Sequence, residues 1–254
     1  MVNRYVLITN VVFDLMKDLV LKGKKALHVS VMSTTLLWSM GAASVVPAFA
    51  AEASAFKDGD LIKSTARADV YLYMSGARSP FPNQAVFNSW DYKFTNVIKT
   101  SQDAINAVPL SGSNVTYRPC TRMIKLNTDV KTYVVSPNGS LHWVKTQEVA
   151  TALFGSDWNK KIDDVADVFF TNYTVGEPVE AAKPIPGCFL RDAASAKTYY
   201  VNTDGTKSEV DAKGLSENRV NTKFVWTAPA SLISSATTST TQPTITGAKA
   251  ELAM

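Results

Sequence analysis

Histidine and cysteine are scarce in this chain, with two of each among 254 residues. His28 falls in an N-terminal stretch that reads as a targeting segment, so His142 is the one histidine left to the mature part beside Cys120 and Cys188. A zinc site with the usual four ligands would have to recruit carboxylates. A thiol or serine nucleophile would have a single candidate base, and no nucleophile-elbow pattern accompanies the serines. No metal, cofactor or catalytic residue is therefore expected, and the chain reads as a non-enzyme. Excess basic charge is also missing. The formal +4 rests largely on residues 1–50, which hold five of the 26 basic and two of the 22 acidic residues. The remainder, 21 basic against 20 acidic, offers no stripe for a phosphate backbone, and nucleic acid is excluded as a partner.

Long apolar runs are absent as well. Lys22, Lys24 and Lys25 precede Ala26 to Ala50, a run diluted by His28, Ser30, Ser33, Thr34, Thr35 and Ser39 that ends in Ala48-Phe49-Ala50. Basic flank, weakly apolar core and small-x-small end are the parts of a secretory signal, with cleavage expected after Ala50. An uncleaved anchor is the alternative, although the run falls short of the roughly 20 apolar residues of a spanning helix. Translation from Met16 would give a shorter, more regular signal. The mature chain is expected to have no membrane span and to be secreted or displayed at the cell surface.

What the sequence does contain is a repeated pattern. An apolar pair, a base, and a tyrosine eight positions after the base occur as Leu61-Ile62-Lys63 with Tyr71, Met123-Ile124-Lys125 with Tyr133, and Phe189-Leu190-Arg191 with Tyr199. Each tyrosine lies in a β-prone run followed by Gly76, Gly139 or Gly205, and Pro-Asn-Gly and Thr-Asp-Gly supply the positive φ that tight hairpins need. Trp90, Trp158 and Trp226 are read as closing the three copies. The pattern predicts an α+β protein of repeated small units, each a β-hairpin or short antiparallel strands plus short helices around a Tyr/Trp core.

The expected boundaries are 1–50 for the signal, 51–58 for a short leader of the mature chain, 59–118 and 119–178 for two units, and 179–186 for a Pro-rich linker. A partial third unit spans 187–227, and 228–254 form a Ser/Thr-rich disordered tail, since the tail has almost no large apolar residues to order it. Asn83 and Thr146 are expected to cap helices, Gly155 to end the second, and Asp163 to Tyr173 to form a short amphipathic helix whose carboxylates face solvent. The third copy becomes polar from Lys207 to Asn221 and looks cut short. Cys120 and Cys188 sit just before the first strands of their copies. They form a disulfide if those copies pack side by side, and otherwise remain free thiols.

The runs YLYMSGARSPFPNQAVFNSW and PLSGSNVTYRPCTRMIKLNTDVKTYVVSPNGSLHWVKTQEVATALFGSDWNKKIDDV, with FFTNYTVG, resemble a repeat of secreted, S-layer-like envelope proteins from candidate-phylum, Patescibacteria-type bacteria. That resemblance covers about 59–226 and implies a structural or adhesive role at the cell surface, with itself or other envelope proteins as partners and no catalytic residues to transfer. Cys120 stands where the resemblance puts glycine, in Arg-Pro-Gly-Thr.

Lys197 to Thr206 is similar to the Tyr-Tyr hairpins of choline-binding and glucan-binding repeats. This implies a cell-wall polysaccharide or choline-type ligand, with Tyr71, Tyr133, Trp143, Tyr199 and Tyr200 as candidate contacts. The competing reading makes the tyrosines and tryptophans core, so that Trp158→Ala would cost roughly 3–5 kcal/mol. Gly187-Cys188-Phe189-Leu190-Arg191 resembles the cysteine motif of L,D-transpeptidases, but lacks the Ser-His before the glycine and has one residue too many between cysteine and arginine.

Overall fold

The computed structural model describes residues 56–249; the signal segment, its cleavage site and the last residues of the tail lie outside them. The fold is α+β, with three small sheets and six short helices among the described residues, and the sheets share one plan.

In the first copy, β1 (Leu61–Ser64), β2 (Val70–Met74) and β3 (Ala77–Pro80) form an antiparallel meander; α1 (Gln84–Ser89) follows, and β4 (Ile98–Thr100) returns parallel to β1 before α2 (Gln102–Asn106). The second copy repeats this with β5 (Met123–Leu126), β6 (Thr132–Ser136), β7 (Ser140–Trp143), α3 (Gln147–Phe154), β8 (Ile162–Val165), α4 (Asp167–Phe170) and β9 (Thr174–Val175). The third has β10 (Phe189–Asp192), β11 (Thr198–Val201), β12 (Lys207–Val210), α5 (Ala212–Glu217), β13 (Trp226–Ala228), α6 (Ala230–Ser234) and β14 (Thr244–Ile245). Strand orders are β3-β2-β1-β4, β8-β5-β6-β7-β9 and β13-β10-β11-β12-β14. The first copy has a lone parallel bridge, Arg78 to Leu110, where the others have their fifth strand.

The spacing of eight has a structural meaning. In every copy the tyrosine lies directly across the hairpin from the second residue of the apolar pair: Ile62 opposite Tyr71, Ile124 opposite Tyr133, Leu190 opposite Tyr199. Turn chemistry sets the register of the next hairpin, between the tyrosine strand and the third strand of each copy. Ser75 and Gly76 are both at positive φ in a two-residue turn, Asn138 and Gly139 both at positive φ in the second copy, and Gly205 is at φ 81° in the third. The helices begin where capping side chains allow. Asn83 accepts from the Val86 N–H at 2.9 Å and Thr146 from that of Val149 at 3.3 Å, while Asp211 caps α5 by accepting from Gly214 at 2.6 Å. Gly155 follows α3 at φ 80°.

Four expectations need correction. The stretch 228–254 is not a disordered tail through its described part. Leu232 and Ile233 of α6 are buried, Ile245 is fully buried, and β14 pairs parallel with β12. A few well-placed apolar residues among serines and threonines suffice because backbone pairing and the existing sheet order the rest. The third unit is accordingly complete; its polar stretch forms β12 and the capped α5, where a Cβ on Gly214 would collide with the Ile245 carbonyl. Residues 179–186 do not act as a free linker, since Val179 and Ile185 are buried and Val144 bridges to Val179. Asp163 and Asp164 are strand residues of β8 rather than a helix face: Asp163 accepts from the Tyr117 hydroxyl at 2.9 Å and from Arg122 Nε at 3.0 Å, and Asp164 pairs with Lys125 at 3.0 Å.

The tryptophans are not equivalent either. Trp90 caps the end of α1, Trp158 opens a 3-10 turn, and Trp226 lies in β13 opposite Leu190, where the other copies place Ile98 and Asp163. Unequal loops after the hairpins make their order in sequence misleading. Trp226 is the most deeply buried of the three, 1 % exposed, with Phe154 at 4.5 Å between ring centroids and its indole N–H donated to the Cys120 carbonyl; Trp90 is buried too. Trp158 is only half-buried at the edge of that cluster.

Candidate functional site

The copies are fastened to one another by polar as well as apolar contacts. The first and second share a cluster that includes Val86, Phe87, Trp90, Tyr117, Ile124 and Tyr133; the second and third share one built on Met123, Leu153, Phe154, Leu190 and Trp226. Arg118 is 5 % exposed and donates to the carbonyls of Arg219 at 2.7 Å and Asn218 at 2.8 Å, linking the segment that joins copies one and two to copy three. Its guanidinium lies 5.5 Å from the Trp90 ring and 5.7 Å from that of Phe189. Burial, with Arg219 nearby, lowers its pKa to about 10.

Cys120 and Cys188 form a disulfide with a Cα separation of 4.8 Å, both buried. Backbone bonding aligns Cys120 with two glycines. Gly59, Cys120 and Gly187 donate to the carbonyls of Tyr73, Val135 and Val201 near the end of the second strand of each copy, and all three have positive φ: 91°, 60° and 86°. Cysteine thus occupies a left-handed position that the other copies give to glycine. Bonded and buried, Cys188 offers no free thiol, and the transpeptidase-like motif has no nucleophile in this state.

His142 is likewise engaged. Its Nδ1–H donates to the Glu177 carbonyl at 2.7 Å, leaving Nε2 to accept from the Ser136 hydroxyl at 2.9 Å. A Cβ on Gly176 would stand 3.0 Å from the ring. Ser136 is buried at 5 % exposure, so the pair fastens the segment around β9 to β7 instead of presenting a nucleophile.

The five aromatics singled out from the sequence do not meet in a shared groove. Tyr71 packs beside Ile62 and Ile105 with the Arg78 guanidinium 5.0 Å from its ring. Tyr133 is buried in the cluster between copies one and two, Tyr199 lines the cluster between two and three, and Tyr200 is buried against Phe189 at 5.0 Å. Trp143 alone lines an open groove, of about 210 Å³, together with Trp158, Lys131, Thr132, Lys145 and Gln147. Lys131 Nζ lies 5.2 Å and Lys145 Nζ 5.6 Å from the Trp143 ring. Lys145 also pairs with Glu180 at 2.6 Å, which holds that carboxyl below its ordinary pKa. Val130, 96 % exposed, stands at the rim. The lysines and Trp158 were not signalled as site residues by the sequence; the period-two placement of Lys131, Tyr133 and Trp143, Lys145 about the hairpin was the cue available.

No family model matches the sequence, and no curated protein matches it. Among solved structures, one described as the periplasmic assembly from the ESX-5 inner membrane complex aligns with 72 % of this chain and 60 % of its own length, at 10 % identity and a TM-score of 0.20. Likeness at that level carries no argument about fold or function.

Proposed function

We propose that the chain is an exported, non-catalytic repeat protein of the bacterial cell surface or envelope, with a structural or adhesive role. The observation that carries this reading is the disulfide between the second and third copies. A buried bridge of this kind forms and persists in oxidising compartments, which agrees with the signal-like segment ahead of it. Arg118 and the inter-copy clusters support the same reading, because the chain's most constrained side chains are used to hold three units in register. Self-association or docking to other envelope proteins follows from such a role, as does residence outside the cytoplasm.

The test is fractionation of cells expressing the full chain, followed by sizing of the purified protein by light scattering. Recovery with the envelope, processed after Ala50 and with no reactive thiols, supports the proposal. A reduced, unprocessed chain in the cytoplasm sinks it. A second reading, binding of wall polysaccharide, is favoured by the Trp143 groove. A choline-type cation is disfavoured there by the like charges of Lys131 and Lys145 beside the indole.

A further inference from the structure

The three hairpins share one register, so the same position can be compared between copies. Opposite the repeated tyrosine stands Pro80 in the first copy, Trp143 in the second and Glu209 in the third. Two residues before the tyrosine stand Asp69, Lys131 and Lys197. In the third copy Lys197 and Glu209 neutralise each other at 2.9 Å across the hairpin. In the second copy the equivalent lysine faces an indole instead of a carboxylate, and the Lys145 ammonium lies 5.6 Å from the centre of the same ring. Glu180, its partner, answers one of the two charges. The groove is therefore lined by two tryptophans, Trp143 and Trp158, together with a cation, Lys131, that is paired with no acid among the described residues.

We infer that the Trp143 groove is a binding site for one acidic sugar ring, a hexuronate residue within a surface polysaccharide. Indole faces offer apolar area to the C–H face of a pyranose, and Lys131 and Lys145 reach a carboxylate on its rim as point charges. Ring-shaped apolar area argues for a sugar over a flexible phosphate polymer, which has no flat face to lay on the tryptophans. The volume is below the roughly 300–1,000 Å³ of sites that enclose a drug-sized molecule, so the groove holds a single ring while the rest of the chain runs past the exposed Val130.

The experiment is a titration of the full mature chain, disulfide intact, followed by tryptophan fluorescence and calorimetry. The probes are an oligogalacturonate, a neutral galacto-oligosaccharide of equal length and a poly(glycerol phosphate). The expected result is saturable binding of the oligogalacturonate, at least tenfold weaker binding of the neutral sugar, and affinity that falls as salt is raised. Trp143→Glu installs the third copy's residue and should remove binding by more than tenfold; the thermal midpoint falls with the lost packing of the indole, and the variant is assayed well below it. Glu180→Gln frees Lys145 and should tighten binding several-fold.

No saturable binding by the folded wild type, equal binding of the neutral sugar, preference for the phosphate polymer, or a Trp143→Glu variant that binds like wild type each overturn the assignment. None of these outcomes bears on fractionation and processing, so failure of the sugar site and failure of the envelope reading remain separable.

Discussion

The second and third copies share strand order, hairpin register and a disulfide, yet differ where their surfaces could meet something else. In the third, Lys197 and Glu209 close the outer face of the hairpin on itself. In the second, the same place is occupied by Trp143, with two lysines near its ring, and opens into a groove. The inward positions are held in common because they build the clusters that join the copies; the rim of each hairpin is freer to diverge because a partly exposed strand residue contributes less to stability. A repeat of this kind keeps its frame and varies its face.

The comparison can be broken hardest at the contact that joins the two copies. Trp226→Ala should cost about 3–5 kcal/mol in a urea titration, because it empties a buried site and leaves the Cys120 carbonyl without its donor. Trp158→Ala, at the groove's edge, should cost only about 1–2 kcal/mol, less than the roughly 3–5 kcal/mol expected of a core tryptophan. Removing the bridge, which closes 68 residues, should cost about 4 kcal/mol in the chain-entropy picture. Within that pair of changes, Cys120→Gly with Cys188→Ala should be more stable than the double alanine, since alanine at φ 60° is strained and glycine is not.

Arg118→Ala comes next. It leaves the Asn218 and Arg219 carbonyls unsatisfied, at about 1–3 kcal/mol each where water does not reach them, with the melt as readout.

Alkali gives a subtler probe. Burial raises the phenol of Tyr173 to about 12, and those of Tyr92 and Tyr117 also lie above their ordinary value. In each case the folded state holds its proton longer than the unfolded one. Stability is therefore intact below about pH 10 and should be lost as pH rises toward 12, with Arg118, its pKa lowered, acting in the opposite sense. Tyr173→Phe should flatten that loss in melts recorded between pH 9 and 12. The smallest expected effect is Glu209→Trp. It should leave the denaturation midpoint essentially unchanged, because the ion pair it breaks is exposed, while bringing a second indole beside Lys197. A large destabilisation there would mean that the third copy's pair is structural and that the comparison between surfaces fails.

Much of the frame was legible in local signals. The apolar pair and the tyrosine define strand register through a fixed turn length, and Asn83, Thr146 and Gly155 mark helix ends by side-chain or backbone chemistry that needs no tertiary context. What could not be read depended on partners remote in sequence. Ile245 looks like an isolated apolar residue in a polar tail until β12 is there to pair with it. Asp163-Asp164 looks solvated until Tyr117, Arg122 and Lys125 supply donors. The candidate site shows the same division. Trp143 was visible as an aromatic in the right strand, but its lysine neighbours and Trp158 come together only through the β6–β7 register and the start of α3.

The parallel return strands have a consequence for how the chain acquires its shape. Ile62 and Ile98, Ile124 and Asp163, and Leu190 and Trp226 are neighbours separated by fewer than forty residues, so each unit closes on itself with a modest loop. The links from Arg118 to Asn218 and Arg219, and from Trp226 to Cys120, span a hundred residues or more. During synthesis the first unit can form while the later ones are still being made, and the second can dock on it; the arginine and its neighbouring thiol must wait for the third. Until then an unpaired cation and an exposed cysteine stand at the seam, and the moment they are covered is the moment at which the assembly of units becomes locked.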